Sequence, residues 1–375
     1  MKIMHNTPVL LLTGYLGSGK TTLVNRILSN RRGIRFAVIV NDIGEVNIDA
    51  DLISRDGIVG AGDESLVSLQ NGCICCTLKM DLVEQISGLV ADGRFDYIVI
   101  EASGICEPEP IARTICSIPY LDEQYTANGC AYLDSVVTVV DALRMRDEFS
   151  CAKSLLRGNI AEDDIENLVI QQVEFCNVVL LNKASELSAD ELGKVRQIIA
   201  ALQPKARIIE CDYADVNLDD ILHTRLFDYD SVAASASWIT EVEKGADTHE
   251  GEALEYGICT YVYFNRKPFD INKFDEFIAK HWPLGIIRAK GMCYFTDNTD
   301  ICYIFEQAGT QISLKNVGQW YATMPQEDLE QQLAHDPALR RDWDPLYGDR
   351  MQKLVFIGQK LDQDALKTAL DFCLE

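Results

Sequence analysis

Three thiols fall within four positions of "LQNGCICCTLKMDL" (69–82), at Cys73, Cys75 and Cys76. Adjacent cysteines can pair only as a strained vicinal disulfide, which a reducing compartment disfavours. As thiolates converging from one short loop they suit a soft or borderline cation such as Zn²⁺, which takes four ligands and would leave one position for an exchanging group. A purely structural zinc site would bring a second pair of ligands, and no matching C-x-x-C or H-x-x-H is present. The alternative is a chance cluster of small core residues.

A second pattern lies upstream. "GYLGSGKTT" runs from Gly14 to Thr22 and matches G-x-x-x-x-G-K-[ST] between an apolar run and a helical pattern. Backbone N–H groups freed by Gly14, Gly17 and Gly19, with Ser18 between them, can turn toward phosphate oxygens at a helix N-terminus. Lys20 would reach the β- and γ-phosphates, the Thr21 hydroxyl would ligate Mg²⁺, and Thr22 completes the motif. Such a loop does not by itself separate GTPase, ATPase and kinase.

Other segments narrow the choice. "DYIVIEASG" places Glu101 at the carboxyl end of a buried run, where it could hold the Mg²⁺ shell or orient a water, and Gly104 would let an N–H approach the γ-phosphate. "VNDIGEVNID" (40–49) supplies Asp42, Glu45 and Asp49 on a loop that either orders with triphosphate or is a solvated acidic loop. "VVLLNKASEL" ends a run with Asn182 and Lys183, the start of the guanine-reading N-K-x-D. The fourth position is Ser185, whose hydroxyl cannot reproduce a bidentate carboxylate, with Glu186 next to it.

The elements that must position these residues are legible as texture. Continuous apolar runs at 9–13, 35–40, 96–100, 135–140, 177–181 and 206–210 alternate with helical patterns such as "MDLVEQISGLVAD" and "ADELGKVRQIIAAL". Runs that are continuous rather than alternating fit parallel strands buried on both faces, so an α/β domain with a mostly parallel, doubly wound sheet is expected over 1–227. The acidic, small-residue stretch 228–254 reads as a linker, and 255–375 as a smaller α+β domain of clustered strands with helices outside them.

Composition excludes several classes. The 375 residues are 47% hydrophobic and 25% charged, a globular balance. A net charge of −24 repels a phosphate backbone and argues against a nucleic-acid partner. No apolar run reaches the length of about 18 residues expected of a membrane span, and "PVLLL" leads into the glycine loop as a first strand rather than a signal peptide. Thirteen cysteines without a secretory signal imply reduced thiols in a cytoplasm. Cys116, Cys176, Cys259, Cys302 and Cys373 stand singly among apolar neighbours as core residues.

"GYLGSGKTTL", "NDIGEVNID", "NGCICCTL", "IEASG" and "LNK" occur in the order found in the CobW-type metallochaperone GTPases, relatives of the hydrogenase and urease maturation GTPases, and the chain resembles that family. "YGICTYVYFNRKPFDINKF", "HWPLGIIRAKG" and "WDPLYGDRMQKLVFIG" resemble its C-terminal domain, so the likeness covers nearly the whole chain.

The resemblance implies a P-loop GTPase that couples slow GTP hydrolysis to GDP to the binding and delivery of a transition metal, Zn²⁺ first and Co²⁺, Ni²⁺ or Fe²⁺ otherwise. Carried over by position, Gly14 to Thr22 bind phosphates, and Glu101 with Gly104 forms the second acidic motif. Cys73, Cys75 and Cys76 hold the metal, and Asn182 with Lys183 faces the base. Asp42 stands where many members have Glu. The implied partners are a client metalloprotein or a metal-cofactor assembly protein and a second copy of the chain. Two rivals remain: a cofactor-assembly NTPase, for example in cobalt insertion for corrinoid synthesis, and a nucleotide-independent metal sensor or buffer.

Overall fold

The computed structural model describes residues 5–29, 33–40, 66–68, 79–150, 160–228, 257–309, 311–341 and 343–375. The chain divides into two compact units, Met1–Ser150 with Asp164–Ala233, and Cys151–Asp163 with Ala234–Glu375. All of the acidic stretch expected as a linker except Asp228 lies outside the described residues.

The first unit is built on seven parallel strands: β1 (His5–Thr13), β2 (Phe36–Val40), β3 (Leu66–Ser68), β4 (Tyr97–Glu101), β5 (Gly129–Asp141), β6 (Val178–Asn182) and β7 (Arg207–Cys211). Their order is β3-β2-β4-β1-β5-β6-β7. Every residue of β2, β4 and β6 is buried, which is why these strands read as unbroken apolar runs. Its longer helices are α1 (Lys20–Leu28), α2 (Lys79–Asp92), α3 (Pro108–Ser117), α4 (Ala142–Ser150), α5 (Ile160–Glu174, which belongs to this unit from Asp164 on) and α6 (Ala189–Leu202).

Alternate residues of the central strands face opposite layers. Leu10, Leu12, Val38, Val40, Val99, Val137 and Val139 share one core with Leu23, Val24 and Ile27 of α1. Each such side chain, fully buried, contributes about 1.5–3 kcal/mol. Helix α6 starts at a capping box, in which Ser188 accepts from the Glu191 N–H and Glu191 accepts from the Ser188 N–H.

A parallel sheet puts all its carboxyl ends on one edge, and the register fixes which residues share it. Leu12 pairs with Glu101, Glu101 with Val40, and Val40 with Ser68. Strand β3, absent from the six expected runs, is an edge strand of only three residues.

The second unit contains β8 (Ile258–Asn265), α7 (Ile271–Lys280), β9 (Ile286–Phe295), β10 (Asn298–Ala308), β11 (Gln311–Gln319), α8 (Gln326–His335), β12 (Gln352–Gln359) and α9 (Gln363–Phe372). The strands form one antiparallel sheet in the order β11-β10-β9-β12-β8. Phe274 and Phe277 of α7 and Leu366 and Leu370 of α9 pack on Tyr263, Ala289, Phe295, Phe305 and Phe356. Trp282, from the "HWPLG" segment, lies against Phe277, Phe305 and Phe356. Asp270 caps α7 by accepting from the N–H groups of Asn272 and Lys273.

The single cysteines behave as core residues where they are buried: burial pushes the Cys176 and Cys302 thiols up to about 12. Cys116 and Cys259 are only partly enclosed. Among the described residues no helix is long and apolar enough to cross a membrane.

Candidate functional site

Strand β1 stops at Thr13, the chain turns through Gly14–Gly19, and α1 begins at Lys20. The turn closes with the Ser18 N–H donating to the Tyr15 carbonyl at 3.2 Å. Gly19 caps the helix at φ 113°, and a Cβ there would sit 2.5 Å from the Asn182 side-chain nitrogen, so only glycine fits. Lys20 is buried to 7% exposure, with Nζ 3.4 Å from the Tyr15 carbonyl oxygen that the turn presents. Thr22 lies exposed in the first turn of α1. The strand, glycine turn and helix expected around the motif are therefore present.

Glu101 ends β4 on the same sheet edge, with 1% exposure, and accepts a hydrogen bond from the Thr21 hydroxyl at 3.1 Å. A hydroxyl and a carboxylate in contact are hard oxygen donors, a set that fits Mg²⁺. Gly104 follows, and a Cβ there would meet the Leu16 backbone nitrogen at 2.7 Å, so this loop lies directly against the glycine turn. Behind it Gln172 of α5, with 1% exposure, donates to the carbonyls of Gly104 at 3.3 Å and Cys106 at 3.2 Å. The Gln172 carbonyl accepts from Thr138 at 2.9 Å, and Thr138 meets Thr13 hydroxyl to hydroxyl at 2.7 Å. The sequence carries no local signal for this buried chain, because its members are distant in the chain.

Asn182 ends β6 and ties two loops together. Its amide nitrogen donates to the Ser18 carbonyl at 2.7 Å, and its oxygen accepts from the Ala214 N–H at 2.9 Å. Lys183 adopts a left-handed backbone, φ 61°, and its ammonium pairs with Asp141 at the end of β5. Ser185, where a guanine reader would carry Asp, gives both its N–H (3.1 Å) and its hydroxyl (2.9 Å) to one oxygen of Asp212 just beyond β7. Asp141 and Asp212 were not among the sequence candidates.

Asp42, with the rest of the acidic loop at 41–49, and Cys73, Cys75 and Cys76 lie outside the described residues. The elements flanking the cysteine segment are described: β3 ends at Ser68 and α2 begins at Lys79. Among the described residues no group of three or more His, Cys, Asp or Glu side chains could hold a metal ion.

A parallel sheet with a glycine turn under a helix N-terminus, a buried lysine, a Thr–Glu pair and an asparagine strut defines a P-loop nucleotide-binding protein. Residues 8–210 match the CobW/HypB/UreG nucleotide-binding domain, and residues 258–374 match the cobalamin synthesis protein CobW C-terminal domain. The chain belongs to the CobW/HypB/UreG family of P-loop GTPases.

It is similar to "Zinc-regulated GTPase metalloprotein activator 1" of Dictyostelium discoideum, 36% identical over 98% of this chain and 79% of that protein. It is also similar to "Zinc chaperone CobW" of Pseudomonas aeruginosa, 33% identical over 59% of this chain and 61% of that protein. Among solved structures it aligns with the Zn(II)-bound YjiA GTPase from E. coli at 22% identity and a TM-score of 0.43, covering 99% of this chain and 100% of that one.

Proposed function

We propose that the protein is a GTP-gated carrier of a transition metal, zinc first, which binds the ion through Cys73, Cys75 and Cys76 and passes it to a client metalloprotein. The observation that carries this reading is the shared sheet edge. Glu101, in contact with Thr21, is two strands from Ser68, about 10 Å at the usual strand spacing. The cysteine segment begins directly after Ser68. Zinc appears in the names of relatives, and thiolates suit it.

Lys20 and the N–H groups of the glycine turn take the phosphate charge, and Ser18, Thr22 and Gly104 line the same turn. Glu101, with Asp42 from the acidic loop, orients the attacking water. Thr21 and Glu101 hold Mg²⁺, which supplies charge neutralisation at the phosphates. Triphosphate orders the segment that contains Asp42, and hydrolysis to GDP releases it. By linkage, metal and nucleotide must alter each other's affinity by the same factor. Residues 1–227 form the GTPase domain, 228–254 the linker and 255–375 a domain for recognising the client. The carrier works in the cytoplasm, and its other partner is a second copy of itself.

The test is Zn²⁺ affinity of the reduced protein, by chelator competition, with Mg²⁺ plus GDP, a non-hydrolysable GTP analogue or the matching ATP analogue. A change of about tenfold with the GTP analogue alone, abolished by Cys75→Ser, supports the carrier. Equal affinity in every nucleotide state overturns it.

A further inference from the structure

Telling guanine from adenine requires acceptors for the guanine N1–H and 2-amino groups, where adenine offers N1 as an acceptor. None of the three motif residues supplies them. Asn182 uses both ends of its side chain as a strut between Ser18 and Ala214. Lys183 is a donor and is paired with Asp141. Ser185 has one hydroxyl, and it points to Asp212.

We infer that Asp212, delivered by the β7 loop and held by Ser185, is the guanine-reading carboxylate of this protein. One of its oxygens accepts from the Ser185 N–H at 3.1 Å and the Ser185 hydroxyl at 2.9 Å, which brings the carboxylate beside the motif's fourth position. Its second oxygen accepts from no donor among the described residues, and a carboxylate has lone pairs for two further N–H groups. The two donors from Ser185 take up one oxygen, Oδ1, and leave the lone pairs of the other, Oδ2, for the guanine N1–H and 2-amino groups.

The loop behind it is built to hold that position. Tyr213 (φ 52°) and Ala214 (φ 54°) are consecutive non-glycine residues in the left-handed region, a conformation that persists only when its surroundings enforce it. Three contacts do so. Arg26 of α1 donates to the Tyr213 carbonyl at 2.8 Å and pairs with Asp215 at 2.7 Å, while Asn182 accepts from Ala214. The phosphate loop, the asparagine strut and the Asp212 loop are thus one connected assembly.

The inference rests on the protein's being a guanine-nucleotide-dependent carrier, and one experiment separates the two. Affinities for GDP, XDP and ADP are measured by competition against a fluorescent GDP, on the full chain with Mg²⁺, for wild type, D212N, D212A and S185D/D212A. Xanthine carries a carbonyl where guanine has its 2-amino group, so the D212N amide should favour it. The expected result is wild-type preference for GDP, at least a tenfold shift of the GDP:XDP ratio toward XDP in D212N, and recovery of GDP preference in S185D/D212A after its loss in D212A. A GDP:XDP ratio unchanged in D212N, or GDP binding lost in D212A and not recovered in S185D/D212A, overturns the role of Asp212 and leaves the carrier reading intact. A wild type that binds ADP as well as GDP overturns both.

Discussion

Gln172 of α5 donates its side-chain amide to the carbonyl of Gly104 at 3.3 Å and holds that loop against the glycine turn. The contact joins residues 68 positions apart and places a side chain of α5 behind the carboxyl edge of the sheet. Replacing it by Leu removes the donor from two inward-facing carbonyls, those of Gly104 and Cys106. Gln172→Leu should destabilise the first unit by about 1–3 kcal/mol. Single-turnover GTP hydrolysis should slow by about tenfold while GDP affinity changes by less than about threefold, because the glycine turn itself is untouched. Equal losses in both would show that Gln172 supports the whole nucleotide site rather than the Gly104 loop.

Thr21 and Glu101 touch at 3.1 Å before any ion is considered, so their oxygens are already gathered. Thr21→Ala should remove most of the Mg²⁺ dependence of GTP binding. Wild-type affinity should fall by at least about tenfold on adding EDTA, and the variant should show a change of less than about threefold. Titration of a fluorescent GTP analogue with and without EDTA reads both numbers. A full Mg²⁺ effect in Thr21→Ala would place the ion on other residues.

Glu306, in the second unit, sits among Lys290 at 3.1 Å, Lys315 at 3.2 Å and Arg288 at 3.8 Å, the last with only 3% exposure. Burial works to raise its carboxyl, yet Lys290 and Arg288, helped by Lys315, hold it down at about 2 against an ordinary 4.5. A depressed carboxyl stabilises the fold fully above its unfolded value and loses that contribution as pH falls through its folded value. Glu306→Gln should therefore cost about 2 kcal/mol at pH 7, and the gap to wild type should close between about pH 4.5 and pH 2. Urea unfolding followed by tryptophan emission is suited to this, since Trp282, Trp320 and Trp343 all lie in the second unit. A gap that persists at pH 2 would assign the loss to packing.

Much of the strand–turn–helix around the glycine loop was legible because its signals are local. The run before Gly14, the glycine spacing and the helical pattern after Lys20 are adjacent in sequence, and the structure joins them as strand, turn and helix. Strands read from apolar runs matched to within a residue where the whole strand is buried, as at β2, β4 and β6. The reading fell short where burial alternates or the element is too short for a pattern. Strand β5 extends back to Gly129 through half-buried Tyr132, and β3 has only three residues.

Asp212 was invisible for a different reason. Its meaning depends on Ser185, 27 positions away on the neighbouring strand's loop, and nothing near either residue announces the contact. The order of the second sheet is likewise a matter of long-range pairing, since apolar alternation specifies faces but not neighbours.

Strand β12, the last strand in the chain, lies between β9 and β8, the first two of its sheet. During synthesis, then, β8, β9, β10 and β11 all emerge before the strand that joins β8 to the rest. Until residues 352–359 arrive, two strand edges that end up in the middle of the sheet stand open. A nascent chain in that condition needs shielding from its neighbours on the polysome, and a premature stop anywhere before residue 352 would leave a product fit for aggregation and proteolysis.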